Sequence, residues 1–153
     1  MLAYVIFYSY LCTLFMQINE LEIVFSEHPQ VKDLCTKIEK KRDTHLLLSG
    51  LHASARALLL AQLKAPLFVI FDNAEAAQYL YADLKTLNAD VAFFPAVKKR
   101  RSVDEAAQVQ RTETLTTLPS IIVTYPEAIV EPVPTKEELV LRSLTVKVGQ
   151  EIQ

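Results

Sequence analysis

Eight consecutive residues, Gly50, Leu51, His52, Ala53, Ser54, Ala55, Arg56 and Ala57, align with the phosphate-binding pattern G-x-x-x-x-G-K-[ST] and replace most of its working parts. A working loop wraps backbone N–H groups around phosphates, sends a lysine to the β- and γ-phosphates and holds Mg²⁺ through a hydroxyl. Here Ala55, Arg56 and Ala57 stand where the second glycine, the lysine and the hydroxyl belong, and Ala53 replaces a glycine often found mid-loop. A methyl group cannot coordinate a cation, so the metal ligand is lost. An alanine forced into left-handed backbone at position 55 would cost about 1–2 kcal/mol. Arg56 keeps a positive charge, yet its planar fork does not fill the place of a compact ammonium. The loop is therefore expected to keep its shape and lose its chemistry, with no cofactor held at Gly50, Ala53, Ala55, Arg56 or Ala57. A strand–Gly–helix junction also occurs in α/β proteins that bind no phosphate, so the rest of the chain has to decide.

An ATPase would further need an acidic residue at a strand end with a neighbouring catalytic carboxylate. Val69, Ile70, Phe71 and Asp72 supply the apolar run and one acid, but Asn73 follows and no DExH-type box occurs elsewhere. Asp72 reads as a strand-end acid stabilised by the dipole of the following helix. Lys98, Lys99, Arg100 and Arg101 form the one dense basic patch, either a phosphate or partner contact or a solvated loop. Arg111, in the helix after that loop, is a further possible partner or phosphate contact, and it pairs near Glu113, caps the end of a sheet or stays on the surface. Cys12 and Cys35 have no C-x-x-C context, and His28, His45 and His52 lack ligand spacing, so reduced thiols and no metal are expected.

These groups need elements to position them. At 153 residues the chain matches one ordinary domain, and 51% hydrophobic residues with a formal net charge of −2 argue against disorder and against nucleic-acid binding through bulk charge. Only Gly50 and Gly149 are glycines, which leaves no Gly-rich dinucleotide fingerprint. The first nineteen residues carry no charged side chain, but they lack a basic n-region and a cleavage site, and the apolar run is short for a membrane span. Residues 1–15 are read as an extension upstream of a start at Met16, a packed or partner-bound helix, or a membrane anchor. No membrane association is expected for the domain, and a cytoplasmic location is.

From Pro29 a helix carries Val31, Leu34, Cys35 and Ile38 at helical spacing. His45–Ser49 reads as a short apolar strand, followed by a helix over Arg56–Leu63. Leu67–Phe71 is an apolar run of strand length, Asn73 a helix cap, and Ala76, Ala77, Leu80, Tyr81, Leu84 and Leu87 an amphipathic helix. Val91–Phe94 and Ile121–Tyr125 give further strands around a helix over Val103–Leu118. Four strand–helix alternations predict an α/β fold, a parallel sheet flanked by helices. Beyond Pro132 and Pro134, Leu139, Leu141, Leu144, Val146 and Val148 alternate with polar residues and predict an antiparallel strand. The boundaries are thus 1–15 for the extension, 16–130 for the α/β subdomain, and 131–153 for a linker and first strand of a second, mostly β subdomain.

The stretches LLLSGLHASARALLLAQL, FVIFDNAEAAQYLYADLKTL, VAFFPAVKKRRSVDEAAQVQRTETLTTL, IIVTYPEAIVEPVP and VKVGQEI resemble, in that order, the N-terminal module of the bacterial transcription-repair coupling factors (Mfd). That module is itself similar to the front of the excision-repair protein UvrB, in which the loop at Gly50 is an intact Walker A motif. The resemblance runs from about Met16 to the last residue. It implies a helicase-like subdomain with a degenerate loop that hydrolyses nothing, followed by the opening strand of a second subdomain that in the family recruits UvrA. In the parent proteins ATP and Mg²⁺ belong to a separate motor domain, and RNA polymerase and DNA are engaged through other domains. The module packs against the rest of the parent and masks the recruitment surface; here the second subdomain is expected to be incomplete. The rival readings are a P-loop-type hydrolase using Arg56 and Asp72, and a nucleic-acid module using Lys98–Arg101.

Overall fold

The computed structural model describes residues 18–40, 45–97 and 103–142. Two helices, α1 (Ile18–Glu27) and α2 (Pro29–Lys40), form a hairpin whose first arm leans on α3 (Ala55–Gln62). Strand β1 (Leu67–Ile70), helix α4 (Ala74–Thr86), strand β2 (Val91–Phe93), helix α5 (Glu105–Thr117) and strand β3 (Ile121–Thr124) then alternate. Short helices α6 (Pro126–Ile129) and α7 (Lys136–Arg142) complete the described chain. The sheet order is β1-β3-β2 and both pairings are parallel, so β3 inserts between the two strands that precede it. The expected α/β class holds, as helices flanking a small three-stranded parallel sheet.

Register and alternation sort the side chains. Leu67, Ile121 and Val91 lie in one row and Val69, Val123 and Phe93 in the next, all on one face. Against this face pack Ala57 of α3 and Ala77, Leu80 and Leu84 of α4, and these residues form the main core. The Tyr81 ring of α4 lies 5.8 Å from that of Phe93, which also stacks on Tyr125 at 6.0 Å. Phe68, Ile122 and Ala92 share the opposite face, with Ile70 and Thr124 in the next row. Helix α5 packs beside β2. Its buried stripe is Ala107, Arg111 and Thr114, at i, i+4 and i+7.

Helix starts follow local chemistry. The Asn73 side chain accepts from Ala76 N–H at 2.9 Å, as its N-cap reading required, and Asp104 does the same for Ala107 N–H at 3.2 Å. Two expectations are corrected. His45–Ser49 is not a strand: it has no ladder partner among the described residues, and Leu47 is 95% exposed. A strand needs a neighbour as well as an apolar run, and this segment joins neither sheet edge. Leu139 and Leu141 lie in α7 rather than in a strand. The cause is a capping box: Thr135 Oγ1 accepts from Glu138 N–H at 3.2 Å while the Glu138 carboxylate accepts from Thr135 N–H at 2.9 Å. Residues 143–148 of that expected strand, and the 1–15 extension, lie outside the described residues.

Candidate functional site

The loop around Gly50 leads into α3 through a bend at Gly50 and a turn at Ala53 and Ser54. Gly50 has φ +81°, and a Cβ built there would meet nothing within 4 Å, so the demand for glycine is conformational rather than spatial. The alanine in left-handed backbone is Ala53, at φ +47°; Ala55, where that strain was expected, is the first residue of α3. Ser54 precedes the helix without a side-chain cap hydrogen bond.

Positions 56 and 57 diverge in direction. Ala57 is fully buried and belongs to the main core with Ala77, Leu80 and Leu84. Arg56 is exposed, and its guanidinium carbon sits 5.6 Å from the centre of the Phe71 ring, just past the end of β1. A cation on an aromatic face at such a site contributes about 0.5–1 kcal/mol. Beside it lies an open cavity of about 290 Å³ whose lining includes Ala53, Ser54, Phe71, Tyr79 and Asp83. Arg56 is the one basic residue of that lining, and Asp83 is its one carboxylate. Asp72 is exposed immediately before the Asn73 cap, and neither it nor Arg56 forms an ion pair among the described residues. The loop offers one cation over an aromatic ring at position 56 and a buried methyl group at position 57.

The second constellation gathers at the C-terminal end of the sheet. Arg111 is 6% exposed, and its guanidinium lies 4.0 Å from the centre of the Phe94 ring. Its Nη1 donates to the carbonyls of Pro95 at 2.8 Å and Ala128 at 2.9 Å, and its Nη2 to that of Glu131 at 3.4 Å. The Glu131 carboxylate stands 3.6 Å from Nη1 and accepts from Val97 N–H at 2.8 Å. Burial pulls the Arg111 pKa down from its usual value, and the Glu131 charge pushes it back up. These donors of Arg111, a possible partner or phosphate contact by its sequence, face inward and hold together the ends of β2, α6 and the segment after it. Of the three placements open for Arg111, the sheet-end cap is the one observed. Glu131, which completes the arrangement, has no short-range sequence signal, since its partners lie 20 and 34 residues away.

Lys98, Lys99, Arg100 and Arg101 lie outside the described residues. The neck of their segment is described: Asp104 N–H donates to Val97 O at 3.0 Å, and Val97 is held by Glu131. A further carboxylate, Asp90 before β2, accepts from the Ser120 N–H and from the Ser120 hydroxyl, both at 2.8 Å, and these bonds lower its pKa. Among the described residues, no group of three or more His, Cys, Asp or Glu side chains is placed to hold a metal ion, and no helix is long and apolar enough to cross a membrane. No family model, curated protein or solved structure matches the chain.

Proposed function

We propose that this chain is a non-hydrolysing, UvrB-like scaffold module of a transcription-repair coupling factor, acting in the cytoplasm in transcription-coupled nucleotide excision repair. It contributes to UvrA recruitment and to packing against other domains of its parent, while ATP hydrolysis, DNA translocation and RNA polymerase binding belong to other domains. The reading rests on the resemblance of five ordered segments and on the state of the loop at Gly50.

The observation that carries it is the fate of positions 56 and 57. Ala57, where a nucleotide-binding loop keeps its metal-ligating hydroxyl, is packed in the core. Arg56, where the lysine reaches for phosphate, lies on Phe71. Both residues act as architecture, which suits a helicase-like subdomain retained for its surface. In this reading UvrA contacts the second subdomain, opened by residues 131–153, and the α/β subdomain supports it.

UvrA co-purification tests the assignment. A chain carrying a complete second subdomain is expected to retain UvrA, and removal of everything from residue 131 onward to abolish retention. Capture of UvrA by residues 16–130 alone, or no capture by the longer chain, contradicts it.

A further inference from the structure

Among the described residues, the edge of β1 that faces away from β3 pairs with no strand. Leu67 N–H and Phe71 N–H donate inward, to the carbonyls of Ser120 at 2.8 Å and Thr124 at 2.9 Å. Alternation along the strand then turns the N–H and C=O groups of Phe68 and Ile70 outward, and no described strand pairs with them. The side chains of these two residues share one face of the sheet and are 57% and 54% exposed. Natural sheets blunt such edges with lysine, proline or a bulge. The run Leu67-Phe68-Val69-Ile70 contains none of these; Pro66, just before it on the same outward side, offers a partner strand its carbonyl but no N–H, which leaves the donors of Phe68 and Ile70.

The charges at the two ends of the strand specify what covers it. Lys64 precedes β1 and Asp72 follows it, and neither forms an ion pair among the described residues. We propose that this edge docks on the same edge of a second copy of the chain, the two β1 strands pairing antiparallel about a two-fold axis. That arrangement places Lys64 of each copy beside Asp72 of the other, two complementary contacts for one axis. A parallel pairing of identical edges would set like charges together at both ends. The dyad also brings the exposed Phe68 and Ile70 of both copies onto one continuous face, as cross-strand apolar neighbours. The net charge of −2 offers little long-range repulsion against the pairing. The inference goes beyond the scaffold function proposed above and does not depend on it.

Sedimentation of the whole chain over a concentration series tests it. The chain is expected to dimerise, and the double substitution Phe68→Lys with Ile70→Lys to leave it monomeric. Lys64→Glu alone and Asp72→Lys alone are each expected to weaken association about five-fold at low salt. Combining them restores the wild-type dimerisation constant. Within one copy these residues sit at opposite ends of the strand, so restoration reports a contact between copies. The charge series leaves the sheet untouched and decides the matter even if the lysine pair compromises folding. A monomer at every concentration, a dimer indifferent to the edge substitutions, or charge substitutions whose losses add without rescue would each overturn the proposal.

Discussion

Arg111 shows how a charge is held inside this protein. Three carbonyls, one carboxylate and an aromatic face together replace the water it gave up. Arg111→Ala leaves those acceptors facing an empty space, and unfolding in denaturant should show a loss of about 3–5 kcal/mol. Arg111→Lys keeps the charge but not the fork, and is expected to recover only part of that loss. Asp90 makes a pH prediction. Its folded pKa lies below the ordinary 3.8 because the Ser120 N–H and hydroxyl hydrogen bonds favour the carboxylate. The unfolded chain therefore binds the proton first as pH falls, so the stabilisation is complete above the ordinary carboxylate range and disappears as pH drops through the lowered value. Melting temperatures of the wild type and Asp90→Ala should differ by a constant amount near neutrality and converge in strong acid. The strained Ala53 points the other way: Ala53→Gly should raise stability by about 1 kcal/mol, read from the same melts.

At the scale of elements, local signals and pairing signals behaved differently. Strands β1, β2 and β3 and helix α4 fall within a residue or two of their expected spans, because each combined an apolar run with a cap or a breaker. Asn73 and Pro95 did that work locally. His45–Ser49 has the same apolar character, yet whether a run becomes a strand depends on a partner chosen by the whole sheet. The α7 helix was legible in Thr135-x-x-Glu138, and the alternation of Leu139 and Leu141 competed with that signal and lost. Helix α5 hid its function for a different reason: its buried stripe is alanine, arginine and threonine, so apolar periodicity there says little about which face is covered. That helix ends on Leu118 at φ +46°, a left-handed residue 67% exposed. Leu118→Gly removes the strain without opening a cavity, and thermal unfolding should show a gain of about 1 kcal/mol.

For the whole molecule, helices flank a small parallel sheet, the loop at Gly50 leads into α3, against which the first arm of the hairpin leans, and the Arg111 cap lies at the end of the sheet. That position 57 carries no metal-ligating hydroxyl was readable from residue types alone, since alanine cannot ligate a metal wherever it sits. The position of the loop's strain was not, because φ at Ala53 and Ala55 depends on where α3 begins. The Arg111–Glu131 pairing was equally hidden, being made by chain segments that meet only once β3 and α6 are in place.

The central proposal is that a triphosphate cradle has become a structural turn, and titration of this chain with ATP and Mg²⁺, read by thermal unfolding, tests it most directly. A site saturated at 100 times its dissociation constant would add about 2.7 kcal/mol, a displacement plain in any melt. The account predicts an unchanged melting temperature at all ATP concentrations, for the wild type and for Arg56→Ala alike. A saturable, Mg²⁺-dependent rise that Arg56→Ala removes would contradict it.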